Sequence, residues 1–598
     1  MSPIIVTNSS PSGRMRRVKW AAGEGGGGGA YTVQQRVNLW RFDGNTGTVR
    51  VSGGIPFAPG VMTDPSKISL WIGGVEQRIA VGNIFGRWPD RVSKRAACIQ
   101  WEGALTNGVP VEGEIRYGVT RATTDLTYAD EIYFSSNPLV ASRNRKAVIA
   151  CMDSQYLCDT WVLLTSAKPE SSQTTTSLTQ YFSTDRSGDL SYRAYAGFSN
   201  FNNTFSPGVA RGTGTTYEHV WARQAAYVRT TSDANRRTYY QEWHELITNL
   251  ATEEYSQRLG SNNLAYTQLW AIDPSLPVAL SPDSYALVGE AFTGFFFGLT
   301  SGYLLSGYKQ CWRAINRHAG AAFGDAAFHG FSGEWIKNNE YASPRFNLHL
   351  GINPLMCAYV IEATQTIVGG YTSYGFGRDN SVESWSRDLS TMIDDLDTFK
   401  FTTANYAAWK DGVVGMRPTL TVGYPPSSPI AGRVGVFQAL IIANTLRFYY
   451  ENIKNDSRIP TMLVKLADWA AGQVATFTTG VNTGKIGIPY TDAATPRTQA
   501  DFDDDALFYP GTIIEPLAAA YAITGTASYK TLALQCASKA QLGEDGSSFV
   551  PNIKGEGEYF RASQQSLPYL LEGGVLRPLG NAGHPTAIFD DLPSHPAS

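Results

Sequence analysis

The segment YVRTTSDANRRTYYQEW, residues 227–243, reads as the end of one helix, a small polar turn and the start of a second helix. On the second helix Tyr239, Trp243 and Leu246 fall at i, i+4 and i+7, which makes one apolar stripe. Three further segments share this shape: YLLSGYKQCWRAINRHA (303–319), YYENIKNDSRIPTMLVKLADW (449–469) and YAITGTASYKTLALQCAS (521–538). Their second helices carry stripes of Trp312, Ile315 and Ala319, of Leu463, Leu466 and Ala470, and of Tyr529, Leu532 and Cys536. The leading residues Tyr227, Tyr303, Tyr449 and Tyr521 are 76, 146 and 72 residues apart. The middle gap is about twice the others, so a fifth hairpin belongs near residue 376. There, residues 351–367 read as a helix, 369–380 as its turn, and 381–396, with Trp385, Leu389 and Met392, as the second helix. A hairpin cannot bury its inner face alone, so repeated hairpins must stack, as an open superhelix or a closed α/α toroid. The period is long for solenoid units of about 34–47 residues, and the long loops 399–432 and 480–510 suit a toroid of about five to six hairpins.

Upstream the pattern changes. TVRVSG (48–53) and KISLWIGG (67–74) alternate apolar and polar residues, and turn signals recur at DGNTG (43–47), APG (58–60) and TNG (106–108). Short strands broken this often read as an antiparallel β-sandwich. The expected layout is an N-terminal arm at 1–30 containing GEGGGGG, a β-sandwich at 31–210, the α/α toroid at 211–545 and a C-terminal extension and arm at 546–598. Residues 169–216 are Ser-, Thr- and Asn-rich and read as a surface excursion.

Composition bounds the partners. The 598 residues carry a net charge of −3, which gives no electrostatic case for nucleic acid. The six cysteines have no metal-ligand spacing and read as buried thiols of a reducing compartment. The first 20 residues hold no apolar stretch suited to a signal peptide, and the apolar run 291–305 is shorter than a membrane span, so it reads as a buried helix. No nucleotide, HExxH or GxSxG motif is present, and no cofactor or metal is expected.

The string from Gly53 to Gly103 contains Ile55-Pro56, Asp64-Pro65-Ser66, Gly73-Gly74 and Arg87-Trp88-Pro89-Asp90. It resembles the N-terminal domain of the rhamnogalacturonan exolyase and YetA-like proteins. Arg91 and Val92 stand where that pattern has Gly-Ser. The resemblance covers roughly residues 35–120 by motif and the remainder by architecture, since the family joins this β domain to an α/α toroid. The arrangement is also similar to proteins encoded by tailed bacteriophages. The glycine-rich start and the 15 Lys against 34 Arg agree with that style.

The resemblance implies β-elimination on a uronic-acid glycan, which needs a group to neutralise the carboxylate, a base and an acid. Two clusters supply such residues: Tyr217, His219 and Arg223 in YEHVWAR, and Arg345, Asn347 and His349 in the loop 338–353. Loop and helix capping is the plainer role for both clusters, and His244, His318 and His329 read as ordinary histidines. A toroid glycoside hydrolase would instead use the acidic loop DFDDD (501–505) with Glu334 or Glu340. The expectation is therefore a virion protein of a phage tail or appendage with a carbohydrate-active-enzyme-like fold, binding or depolymerising host surface polysaccharide. The alternatives are an active polysaccharide lyase or, less favoured, a glycoside hydrolase. Its expected partners are that polysaccharide and other virion proteins or further copies of itself, held through the arms. Assembly would be in the host cytoplasm, without membrane insertion.

Overall fold

A computed structural model describes residues 31–88, 92–129, 146–169, 220–256, 297–309, 311–312, 315, 353–361, 393–394, 440, 442–476, 486–487, 510–540, 565–566, 568–571 and 576. Eight strands come first: β1 (Val33–Arg41), β2 (Thr46–Pro56), β3 (Ile68–Ile72), β4 (Val75–Gln77), β5 (Ile79–Arg87), β6 (Lys94–Thr106), β7 (Val111–Tyr117) and β8 (Ala147–Cys151). Helices follow: α1 (Ser154–Asp159), α2 (Val220–Arg229), α3 (Asp233–Ser256), α4 (Phe297–Ser306), α5 (Asn353–Val360), α6 (Ile442–Asn452), α7 (Arg458–Gln473), α8 (Pro510–Thr524) and α9 (Ala527–Ala540). The two-residue strands β9 (Ala475–Thr476) and β10 (Ile486–Gly487) pair with each other. The chain is thus a β region followed by helices. The excursion expected at 169–216 lies almost wholly outside the described residues.

The sequence suggested two sheets packed face to face. The eight strands instead form one hydrogen-bonded sheet, nearly barrel-like, in the order β4-β3-β7-β1-β8-β2-β6-β5. Neighbours are antiparallel except β2 and β8, which touch through a single parallel bridge, Ser52 to Val148. Gly53 permits that junction, because a Cβ there would stand 2.2 Å from the Ile149 carbonyl oxygen. The pleat sends Val51, Ile55, Ile99 and Trp101 to the inner face with Val37, Leu39, Leu70 and Ile115. The outer face of β2 and β6 presents Arg50 with Glu102, Ser52 with Gln100, and Gly54 with Cys98. An extended segment crosses part of it: Arg50 donates to the Thr127 carbonyl at 2.9 Å, and the Gln100 amide exchanges two hydrogen bonds with the Ala129 backbone.

The helices cover the rest of that face. All five residues of β8 are buried, and the hydrophobic core runs without a break from strands to helices. Tyr227 of α2 donates to the Cys151 carbonyl at 2.7 Å, and Tyr240 of α3 packs edge-on against Trp40. His244 is buried, stacked on Tyr240, an ordinary core position. The apolar run at 291–305 contributes α4, whose residues other than Leu299 are buried against β2 and α2. Among the described residues no helix is long and apolar enough to cross a membrane. All six cysteines are buried and none is in a disulfide; burial pushes the Cys151 thiol up to about 12.

The helix-turn-helix reading holds where the chain is described: α2 packs on α3, α6 on α7, and α8 on α9. The predicted stripe of α7 is buried at Leu463, Leu466 and Ala470. For the fifth hairpin, α5 lies inside the predicted first helix, while its turn lies outside the described residues. The first helices of the hairpins also meet one another in series, α2 with α4, α4 with α5, α5 with α6, and α6 with α8. Every residue of α6 is buried, whereas α7 is buried along one side only.

Asp456 fixes the start of α7. Its Oδ1 accepts the Arg458 backbone N–H at 3.0 Å and its Oδ2 takes the guanidinium at 2.7 Å, which also reaches Asp394 at 2.6 Å. Burial alone would raise the Asp456 pKa, but the hydrogen bonds from Arg458 outweigh it and hold the carboxyl below its ordinary value. A depressed folded-state pKa stabilises above the unfolded value of about 3.9, and that contribution is lost as the pH falls through the lower folded value. Asp456→Asn should therefore be less stable than the parent at neutral pH, with the gap closing in strong acid. Denaturant unfolding across that range tests this, and a pH-independent gap would contradict it.

Candidate functional site

Of the residues expected to carry chemistry, Tyr217, His219, Arg345, Asn347 and His349 lie outside the described residues, as does the acidic loop 501–505. Arg223 is described. It sits on α2, and its guanidinium pairs with Glu242 of α3 at 3.5 Å, both side chains being mostly buried. Arg223 therefore faces the partner helix of its own hairpin.

Of the residues on which the resemblance was read, Pro89, Asp90 and Arg91 lie outside the described residues, and several of the others have structural positions. Asp64 caps the short 3-10 turn Pro65–Lys67, accepting from the Ser66 N–H at 3.0 Å and the Ser66 hydroxyl at 2.7 Å. Those bonds hold its carboxyl below the ordinary range. Gly73 and Gly74, with φ of 57° and 79°, make the two-residue turn from β3 to β4 that only positive φ allows. Trp88 is buried, its indole N–H donating to the Phe57 carbonyl at 3.3 Å. The Arg95 guanidinium lies 3.9 Å above its ring and donates onward to the Asn452 side chain and carbonyl at 3.4 and 3.3 Å. The motif thus ties the sheet to α6.

On the same helix lies a group of interacting buried polar side chains. On α6, Asn444, Arg447 and Glu451 fall at i, i+3 and i+7, one polar stripe on a helix buried all round. It faces a helical stretch near the C-terminus. Arg447 donates to the Gln565 carbonyl at 3.0 Å, to the Gln565 Oε1 at 2.6 Å and to Asn444 Oδ1 at 3.0 Å. Glu451 accepts from the Tyr569 hydroxyl at 2.7 Å and from the Thr165 hydroxyl at 3.2 Å. Burial pushes the Tyr569 hydroxyl well above the usual phenol range, and Glu451 beside it pushes the same way. Tyr569 therefore stays protonated as a donor. On the other side of α6, Asn452 donates to the Leu164 carbonyl at 2.6 Å and Thr445 to Asn353 Oδ1 at 2.9 Å. This seam joins α5, α6, the segment 164–165 and the C-terminal stretch. The sequence carried a signal for it, since three polar residues at helical spacing inside IIANTLRFYYEN (441–452) contradict a purely apolar inner helix.

Among the described residues no group of three His, Cys, Asp or Glu side chains could hold a metal ion. Comparison of the chain with protein-family models, curated proteins and solved structures finds no match in any of the three.

Proposed function

We propose that the chain is a structural protein of a bacteriophage virion, in the tail or an appendage, that binds or depolymerises a host surface polysaccharide. The fold behind this reading would be the β domain joined to an α/α toroid. The observation that supports it most is the packing of the first helices in series, with the fully buried α6 among them and one-sided α7 outside. A ring of hairpins places its first helices inside and its second helices outside. The tie from Trp88 through Arg95 to α6 adds support, because it joins the two parts through one of the residues on which the family resemblance rests, Trp88. The arms at 1–30 and in 546–598 would dock on other virion proteins or on further copies of the chain.

If the protein cleaves its glycan, elimination would fall to Tyr217, His219, Arg223, Arg345, Asn347 and His349. Arg223 would have to leave Glu242 to meet a uronate carboxylate. Two measurements test the reading. Mass spectrometry of purified virions should find the chain, and purified host capsule or exopolysaccharide should co-sediment with the protein. A rise in ultraviolet absorbance from unsaturated uronate during that incubation marks a lyase, and binding without it marks a receptor-binding component. Absence from virions, or neither binding nor cleavage, overturns the proposal.

A further inference from the structure

We infer that Asn107 is a deamidation site whose opening is gated by the fold. Residues 107–108 are the one Asn-Gly pair in the 598 residues. They form the tip between β6 and β7, where the Val109 N–H donates to the Thr106 carbonyl at 3.1 Å. Gly108 has a φ of 73°, and both residues are exposed. An Asn before Gly is prone to cyclise, because no side chain crowds the approach of the following nitrogen to the amide carbon. The Gly108 nitrogen gives up its proton and attacks Asn107 Cγ. The N–Cγ bond forms, the Cγ–Nδ2 bond breaks, and the amide nitrogen leaves with the proton as ammonia. Water then opens the succinimide ring at either carbonyl, which leaves an aspartate or an isoaspartate.

Two hydrogen bonds to the neighbouring β1–β2 turn stand in the way. The Gly108 N–H, whose nitrogen must attack, donates to the Arg41 carbonyl at 2.8 Å. Asn107 Oδ1 accepts the Gly44 N–H at 2.8 Å, which fixes the carboxamide. The Arg41 side of this contact is anchored in turn. Arg41 is 6% exposed, and its guanidinium donates to the two oxygens of Asp43 at 2.9 and 2.7 Å and to the Gly47 carbonyl at 3.3 Å. Asp43 also accepts the Asn45 N–H at 3.0 Å. The Gly108 nitrogen can therefore attack only after the hairpin tip has parted from that turn. The two products then differ. Aspartate keeps an oxygen for the Gly44 N–H. Isoaspartate carries the main chain through the side-chain carbons and lengthens the turn by a methylene, so the Thr106–Val109 closure no longer fits and the tip stays parted. The change is one-way and adds a negative charge beside Asp43.

The inference does not rest on the polysaccharide reading. Deamidation and hydrogen exchange at Gly108 both need the same N–H released, so they share one opening equilibrium. The full chain and a peptide of residues 103–112 are incubated side by side at neutral pH, and the acid products at Asn107 are counted by mass spectrometry. The peptide should deamidate, and the folded chain should do so more slowly by about tenfold or more. The slowing should match the protection of the Gly108 amide against exchange to within about threefold. Asp43→Ala, which frees Arg41 and the turn at 43–45, should speed both processes by the same factor. Where that variant does not fold, the comparison of full chain with peptide decides alone. Deamidation of the folded chain at the peptide's rate, a slowing unrelated to the protection of Gly108, or an Asn107 that stays intact in the peptide overturns the gated site.

Discussion

Replacing Trp88 by alanine should destabilise the protein by about 3–5 kcal/mol, the range for emptying the space of a buried large aromatic side chain. The indole is 1% exposed, so almost all of its volume becomes cavity. Two further losses fall in the same place. The Phe57 carbonyl loses the indole N–H at 3.3 Å, and the Arg95 guanidinium loses the ring 3.9 Å beneath it. Arg95 is itself 2% exposed, so it cannot turn to water for compensation. Its bonds to Asn452 are long already, at 3.3 and 3.4 Å. The damage should therefore travel to α6, and hydrogen exchange across 442–452 should quicken along with exchange in β5 and β6. Trp88→Phe keeps a ring under Arg95 and loses the N–H and part of the volume, so it should recover more than half of the deficit. An alanine variant within about 1 kcal/mol of the parent, with α6 as protected as before, would show that Trp88 does not link the two parts.

The same residues show how far the sequence could be read. Alternation in TVRVSG and KISLWIGG announced β2 and β3, because a sheet with one apolar face imposes a period of two. The single sheet was not legible, because it depends on Gly53 letting β8 within bridging distance of β2, a contact across about a hundred residues. The hairpins were legible from tyrosines at a near-constant spacing and from one stripe per second helix. The series packing of the first helices was not, since α6 is buried on its polar stripe as well as its apolar side, and the neighbours that bury it are distant in the chain. The resemblance marked Trp88 and Asp64 without saying what they do. Both prove to be structural, one a tie and one a cap. The candidate clusters rested on residue types near loop ends, and Arg223 shows the weakness of that signal. An arginine at a helix start is as well suited to an ion pair across its own hairpin as to a substrate. The interior seam left a fainter trace, three polar residues in an apolar helix, and its partners Gln565 and Tyr569 lie more than a hundred residues away.

Gly54→Ala should be among the most damaging single-methyl changes in the chain. A Cβ on Gly54 would stand 2.3 Å from the Leu304 carbonyl oxygen and 2.8 Å from both the Leu305 carbonyl carbon and the Ser306 nitrogen. All three atoms are backbone at the C-terminal end of α4, so no side chain can swing aside to make room. Either α4 withdraws from the outer face of β2 or β2 buckles away from β6, with which it pairs over eleven residues. The ladder is the harder to move, so α4 should give way. Overpacking of a core typically costs about 1–3 kcal/mol, and a backbone-to-backbone clash belongs at or above the top of that range. Gly472 supplies the control. It lies on an exposed side of α7 with nothing within 4 Å of an added Cβ, so Gly472→Ala should stabilise by about 0.5–1 kcal/mol through helix propensity alone. Opposite signs for one added methyl, together with faster hydrogen exchange at 297–306 in the Gly54 variant only, are the expected result. If Gly54→Ala unfolds with the parent and leaves α4 protected, the close seating of α4 on β2 is wrong. The hydrophobic core could then no longer be taken as continuous from the sheet to the helices.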